Sequence, residues 1–104
     1  MSTYDTWDAL ADPTRRRVFE LLRGGPLAVQ RIAEQLPVSR PAVSQHLRVL
    51  SAAGLVTFRR DGARRLYTVN RDGLAGLRWW LDTFWDDALA RFKEAAERER
   101  SDDE

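Results

Sequence analysis

Apolar residues recur along this chain at two periods, and the switch between them lays out its elements. Tyr4, Trp7, Leu10 and Ala11 stand three or four apart or adjacent on one face, which predicts a short first helix over residues 4–11. Asp12-Pro13 follows, an N-cap side chain and then a proline where a missing N–H costs nothing. The helix started there turns Val18, Leu21 and Leu22 inward and ends at Gly24-Gly25. Beyond Pro26, a short helix stopped by Pro37 carries Val29, Ile32, Ala33 and Leu36 on one face. Ser39 and Gly54 bracket a fourth helix as N-cap and terminator. The period then drops to that of strands. Residues 55–60 and 64–69 are β-rich runs around Asp61-Gly62-Ala63, a hairpin signal. From Asp72 to Arg98 helical spacing returns, with Leu77, Leu81, Phe84, Ala88, Phe92 and Ala95 at three- and four-residue steps. The predicted order is helix, helix, helix–turn–helix, hairpin, helix, in a mostly α fold. It occupies one domain over residues 1–100, with a frayed acidic tail at 101–104.

Composition narrows the chemistry. With 43% hydrophobic and 10% aromatic residues in 104, the chain can pack one modest core. It has no cysteine, which excludes disulfides, thiolate metal sites and thiol redox sensing. The first residues lack the pattern of a secretory signal, and no apolar run approaches the ~18 residues of a membrane span, so a cytoplasmic protein without membrane contact is expected. The net charge of +1 hides an uneven distribution. Residues 1–38 are neutral, residues 39–71 carry seven arginines against Asp61 alone, and residues 72–104 are net −5. An anionic partner would bind the middle third.

That third contains SRPAVSQHLRVL, with the chain's one histidine. On a helical wheel Val43, Leu47 and Leu50 share one face, flanked by Ala42 and Val49. Arg40, Ser44, Arg48 and Ser51 share the opposite face, with Pro41 and Gln45 along its edge. His46 falls on the apolar half, which predicts a packed residue with a local hydrogen bond rather than a ligand or a base. The polar face suits DNA: arginine offers a fork to guanine O6 and N7, glutamine pairs with adenine N6 and N7, and serine is short enough for close approach. Arg59, Arg60, Arg64 and Arg65 crowd one hairpin tip. Like charges there repel and gain nothing structurally, whereas beside phosphates they release counterions. A helix–turn–helix followed at once by a basic hairpin is a winged helix.

Residues 7–92 resemble the ArsR/SmtB family of bacterial winged-helix repressors. The resemblance rests on LADPTRRRVFELL, on the S-x-x-x-V-S-x-H-L-x-x-L pattern of SRPAVSQHLRVL, and on AAGLVTFRRDGARRLYTV. It implies a winged helix-turn-helix homodimer that binds a palindromic operator in double-stranded DNA and represses transcription, often of its own gene. It also implies DNA contacts from Arg40, Pro41, Ser44 and Gln45, joined here by Arg48 and by the wing residues Arg59, Arg60, Arg64 and Arg65. The dimer interface it implies is all-helical, from the first and last helices: Tyr4, Trp7, Leu10, Leu77, Trp80, Leu81, Phe84, Trp85 and Leu89. Trp79, Trp80, Phe84, Trp85 and Phe92 are more aromatic surface than one helix face in a small core needs. They suit that interface, and also a pocket for a small apolar effector, though nothing in the sequence selects one.

Many members of the family sense metals, and here the ligands are missing. The family's E-L-C-V-C-D-L site corresponds to P-L-A-V-Q-R-I, with Ala28 and Gln30 in place of the thiolates. The last helix offers Asp82, Asp86 and Asp87 but no histidine. No metal and no cofactor are therefore expected. An enzyme fits poorly, for there is no nucleophile–base pair and no Gly-rich phosphate loop. The competing binding function is a winged helix whose arginines face an acidic protein.

Overall fold

The computed structural model describes residues 5–102, so Tyr4 and the last two residues lie outside it. The chain divides into two compact units, Met1–Leu74 and Ala75–Glu104. The first holds α1 (Thr6–Ala11), α2 (Pro13–Leu21), a 3-10 turn (Leu22–Gly24), β1 (Leu27–Ala28), α3 (Val29–Glu34), α4 (Arg40–Ala52), β2 (Val56–Asp61) and β3 (Arg64–Val69). It also contains the start of α5 (Arg71–Asp102), most of which forms the second unit. The fold is thus mostly helical, with a small antiparallel sheet, as the alternating periods predict. Among the described residues, no helix is long and apolar enough to cross a membrane.

Three helices of the first unit, α1, α2 and α4, are started by the side chains of their N-cap residues. Asp5 and Asp12 cap α1 and α2, accepting from the backbone N–H of Trp7 at 2.8 Å and of Arg15 at 2.9 Å. Ser39 Oγ accepts from Ala42 N–H at 3.3 Å at the head of α4. At its far end Gly54 takes φ 80°, a left-handed conformation in which a side chain would be strained. Gly54 N–H then reaches the Ser51 carbonyl and Leu55 N–H the Leu50 carbonyl, both at 3.0 Å. This is a Schellman motif, and it satisfies two carbonyls that would otherwise lack partners. Val18, Leu22, Ile32, Val43, Leu47, Leu50 and Leu55 are the large side chains fully enclosed in the core. Each contributes about 1.5–3 kcal/mol of burial. The apolar wheel face of α4 is therefore the one packed against α2 and α3.

The sheet has the order β1-β3-β2, all antiparallel. Its hairpin is tighter than the three-residue connection predicted, because Asp61 pairs with Arg64 and only Gly62 and Ala63 turn. Gly62, at φ 65°, occupies the first turn position, where hairpin turns of the primed types need positive φ. The sequence pattern does not reveal β1. Two residues are too few to alternate, and β1 exists only because Leu27 and Ala28 pair with Tyr67 and Leu66.

Asn70 clasps the base of the hairpin. Its backbone N–H donates to the Leu55 carbonyl at 2.9 Å and its Nδ2 to the Gly54 carbonyl at 3.0 Å. Its Oδ1 accepts from Asp72 N–H at 3.3 Å, which caps the start of α5. Gly73 passes so close that a Cβ there would overlap the Gly54 carbonyl oxygen.

In the second unit α5 runs through Ser101 and Asp102, two residues into the stretch expected to fray. No glycine or proline stands there to end the helix. Every residue from Arg78 to Ser101 is exposed. Leu81, Phe84, Trp85, Leu89 and Phe92, between 51% and 74% exposed, fall within one stripe about 140° wide. Trp80 borders that stripe and stacks on Phe84, with centroids 5.3 Å apart. Trp79, 70% exposed, lies off it on the other side of the helix.

Candidate nucleic-acid interface

The polar face of α4 and the inner side of the hairpin enclose an open groove of about 740 Å³ within the first unit. Arg40, Ser44, Arg48 and Ser51 form one wall, in keeping with the wheel. Arg64, Arg65, Phe58 and Tyr67 form the other, and Gln30, Arg31 and Glu34 of α3 close the end. Five arginines against one glutamate make the lining strongly cationic. Of the residues predicted for DNA contact, Arg40, Ser44, Arg48, Arg64 and Arg65 converge on this groove. Pro41 and Gln45 are exposed along the edge of α4 but do not line it. Arg59 and Arg60 extend along the outer hairpin, opposite Leu66 and Arg65 in the ladder.

Several of these side chains are already held. Arg48 Nη1 donates to Gln45 Oε1 at 3.1 Å, so the two polar residues of α4 form one unit. Arg64 donates through Nη2 at 3.1 Å and Nε at 3.4 Å to the same Asp61 oxygen. Arg31 pairs with Glu34 at 3.4 Å. Arg65 instead lays its guanidinium over the Phe58 ring, 4.4 Å from the centroid.

Sequence reasoning missed Arg31, Gln30 and the aromatic pair Phe58–Tyr67. Arg31 was hidden because residues 1–38 average to zero charge, although the helix preceding a reading helix is a place to look for a cation. Phe58 reads as an ordinary strand residue, and only the register Phe58↔Tyr67 puts its ring, 41% exposed, on the groove side.

His46 is half-buried on α4, as the wheel implies, and does not line the groove. Among the described residues its Nδ1 is enclosed without a hydrogen-bond partner, where the sequence predicts a local bond. The Asp12 carboxylate, within electrostatic reach, has committed Oδ1 to Arg15 N–H. That backbone hydrogen bond, with smaller help from the charges of His46 and Arg15, holds the Asp12 carboxyl below the usual carboxylate range against the opposing effect of burial.

On α5, Leu77 is half-buried and Trp80, Leu81, Phe84, Trp85 and Leu89 are exposed; in α1, Trp7 is exposed and Leu10 half-buried. Tyr4 lies outside the described residues. An exposed apolar stripe of this size is the kind of surface at which proteins meet a partner, a ligand or a membrane.

Known proteins are similar to this chain in sequence and fold. A helix-turn-helix domain model matches residues 10–58. The HTH-type transcriptional regulator Rv2034 of Mycobacterium tuberculosis is 52% identical over 98% of this chain and 99% of its own length. The transcriptional repressor SdpR of Bacillus subtilis is 34% identical over 75% of this chain and 88% of its own. A crystal structure described as a possible transcriptional regulator for arsenical resistance matches with a TM-score of 0.74 and 49% identity, over 86% of this chain and 94% of that one. The solution structure of a homodimeric winged helix-turn-helix DNA-binding domain from Mycobacterium bovis, a possible ArsR-family regulator, matches with a TM-score of 0.63 and 31% identity, over 78% and 75% of the two chains. The chain belongs to the ArsR/SmtB family of winged helix-turn-helix transcriptional regulators.

Proposed function

We propose that the protein is a homodimeric repressor that reads a palindromic operator, that of its own gene included, and does so without a metal signal. The observation that carries the reading is the groove, where the polar face of α4 and the wing arginines meet. Arg40, Pro41, Ser44, Gln45 and Arg48 read base edges in the major groove, and Arg59, Arg60, Arg64 and Arg65 neutralise the flanking phosphates. Two reading helices about 34 Å apart would enter successive major grooves. The dimer is proposed to close over the exposed face of α5, through Leu77, Trp80, Leu81, Phe84, Trp85 and Leu89, together with Trp7 and Leu10 of α1 and with Tyr4. Independence from metal is supported by the side chains at the family's cysteine positions. Ala28 has no donor atom, and the Gln30 amide faces Glu34 at 3.4 Å.

Selection of genomic fragments by the purified protein at physiological salt tests the reading. Enrichment of one short palindrome is expected, with a copy upstream of the protein's own gene. Weak, sequence-blind and salt-sensitive binding would sink it and favour an acidic protein partner for the same arginines. Leu81→Glu should convert the dimer to monomer in sedimentation. A dimer that survives would show that the interface lies elsewhere.

A further inference from the structure

We propose that Phe58 is a positioning residue of the wing, a shelf that aims Arg65 into the groove with its hydrogen-bond donors unspent. The proposal deepens the DNA-binding reading and rests on it.

The ladder makes Arg65 and Arg60 direct cross-strand neighbours, two like charges that repel. Phe58 stands two residues before Arg60, on the same face of the ribbon, opposite Tyr67. Arg65 turns back along the strand to this ring, 4.4 Å from its centroid. Tyr67, buried, packs against the same ring at 5.3 Å and 45°. The result separates the two arginines: Arg65 lines the groove and Arg60 does not.

How Arg65 is held matters as much as where. A guanidinium has five N–H donors in its plane and an unsaturated face. Stacking occupies the face and leaves the edge, so the residue can be immobilised and still grip a phosphate. Arg64, one residue away, is held in the opposite way: two of its donors are committed to Asp61. Among the described residues, the Arg65 side chain makes no hydrogen bond or ion pair. Of the two wing arginines that line the groove, it is the one presented ready for an anion.

The test measures affinity and salt dependence for a labelled mixed-sequence duplex about three helical turns long, since a phosphate contact is independent of sequence. Arg65→Ala should weaken binding and make the salt slope shallower by about one unit per wing. Phe58→Leu, which keeps apolar bulk but removes the ring face, should weaken binding by about two- to fivefold per wing. In the Arg65→Ala background the same change should cost nothing further, and Phe58→Tyr should bind as the native protein does. A readout without DNA covers any loss of folding: in the native protein the Arg65 side-chain resonances should be shifted upfield by the ring current, and Phe58→Leu should return them to random-coil values. The proposal is overturned if Phe58→Leu costs as much with Ala at position 65 as with Arg, or if the Arg65 resonances are unshifted. If Arg65→Ala alone leaves affinity and slope unchanged, Arg65 makes no phosphate contact, and the failure lies with that part of the functional reading rather than with the shelf.

Discussion

Asp61 is the acid of the basic third, and it sits at the wing tip where a phosphate would lie. Its carboxylate holds Arg64 at 3.1 Å, with both side chains more than half exposed. For Arg64 to grip a phosphate it must leave Asp61, and an exposed pair of this kind is worth about 0.2–1 kcal/mol. The carboxylate also stands beside the phosphate and cancels roughly one counterion's release. Restoring one such release changes the slope of log affinity against log salt by about 0.9, which at about 0.15 M salt multiplies affinity roughly fivefold. Asp61→Asn should therefore tighten binding to a mixed-sequence duplex by about two- to fivefold per wing and steepen the salt slope. Asparagine keeps a residue suited to the turn, so the hairpin should persist. Fluorescence anisotropy over a salt series measures both quantities, with circular dichroism as the control for folding. Unchanged affinity and slope in a folded variant would refute the reasoning, because the wing tip would then not lie near a phosphate.

Three other outcomes test the scaffold. Gly73→Ala drives a methyl into the Gly54 carbonyl and should cost about 1–3 kcal/mol, read as a lower melting temperature; full stability would mean that α5 starts differently. His46→Leu should hold or raise stability, by up to about 1–3 kcal/mol, because it removes an enclosed nitrogen without a partner; a marked loss would reveal a hydrogen bond to that ring. Asp12 has a depressed folded pKa, so its stabilisation is complete above the unfolded value and lost as pH falls through the folded one. Stability should thus decline below about pH 4, and Asp12→Asn should flatten that limb of the urea-midpoint profile; an unaltered acid limb would assign the decline to other carboxylates.

Much of this architecture was legible because its signals are local. The caps at Asp12 and Ser39, the terminator Gly54, the turn at Gly62 and the apolar face of α4 each act within a few residues of themselves. What escaped is set by chain-distant partners. Strand β1 exists only as a partner of Tyr67 and Leu66, and Gly73 matters only because Gly54 lies against it. The same division runs through the groove. The wheel found Arg40, Ser44 and Arg48 together, because one helix carries them. It could not find Arg31 or Phe58, which reach the groove from other elements. Counting charge showed where cations are dense but not which of them are already paired.

The pairing bears on specificity. On the proposed reading, the protein meets a vast excess of wrong sites, so affinity that ignores sequence competes with function. The groove's arginines divide along that line. Arg31 and Arg64 are held by carboxylates, which compete with phosphate for the same donors. Arg48 and Arg65 are held by a neutral amide and an aromatic ring, which compete little. Anionic partners thus restrain two of the cations that would bind any duplex. In α4 a neutral partner instead fixes the orientation of a residue facing bases, at no electrostatic cost. Binding in which both α4 and the wing must engage gains more from such restraint than binding through the wing alone, because base contacts repay the broken ion pairs only at the right sequence. Removing Asp61 should accordingly raise affinity for mixed-sequence DNA more than for the operator, narrowing the ratio between them.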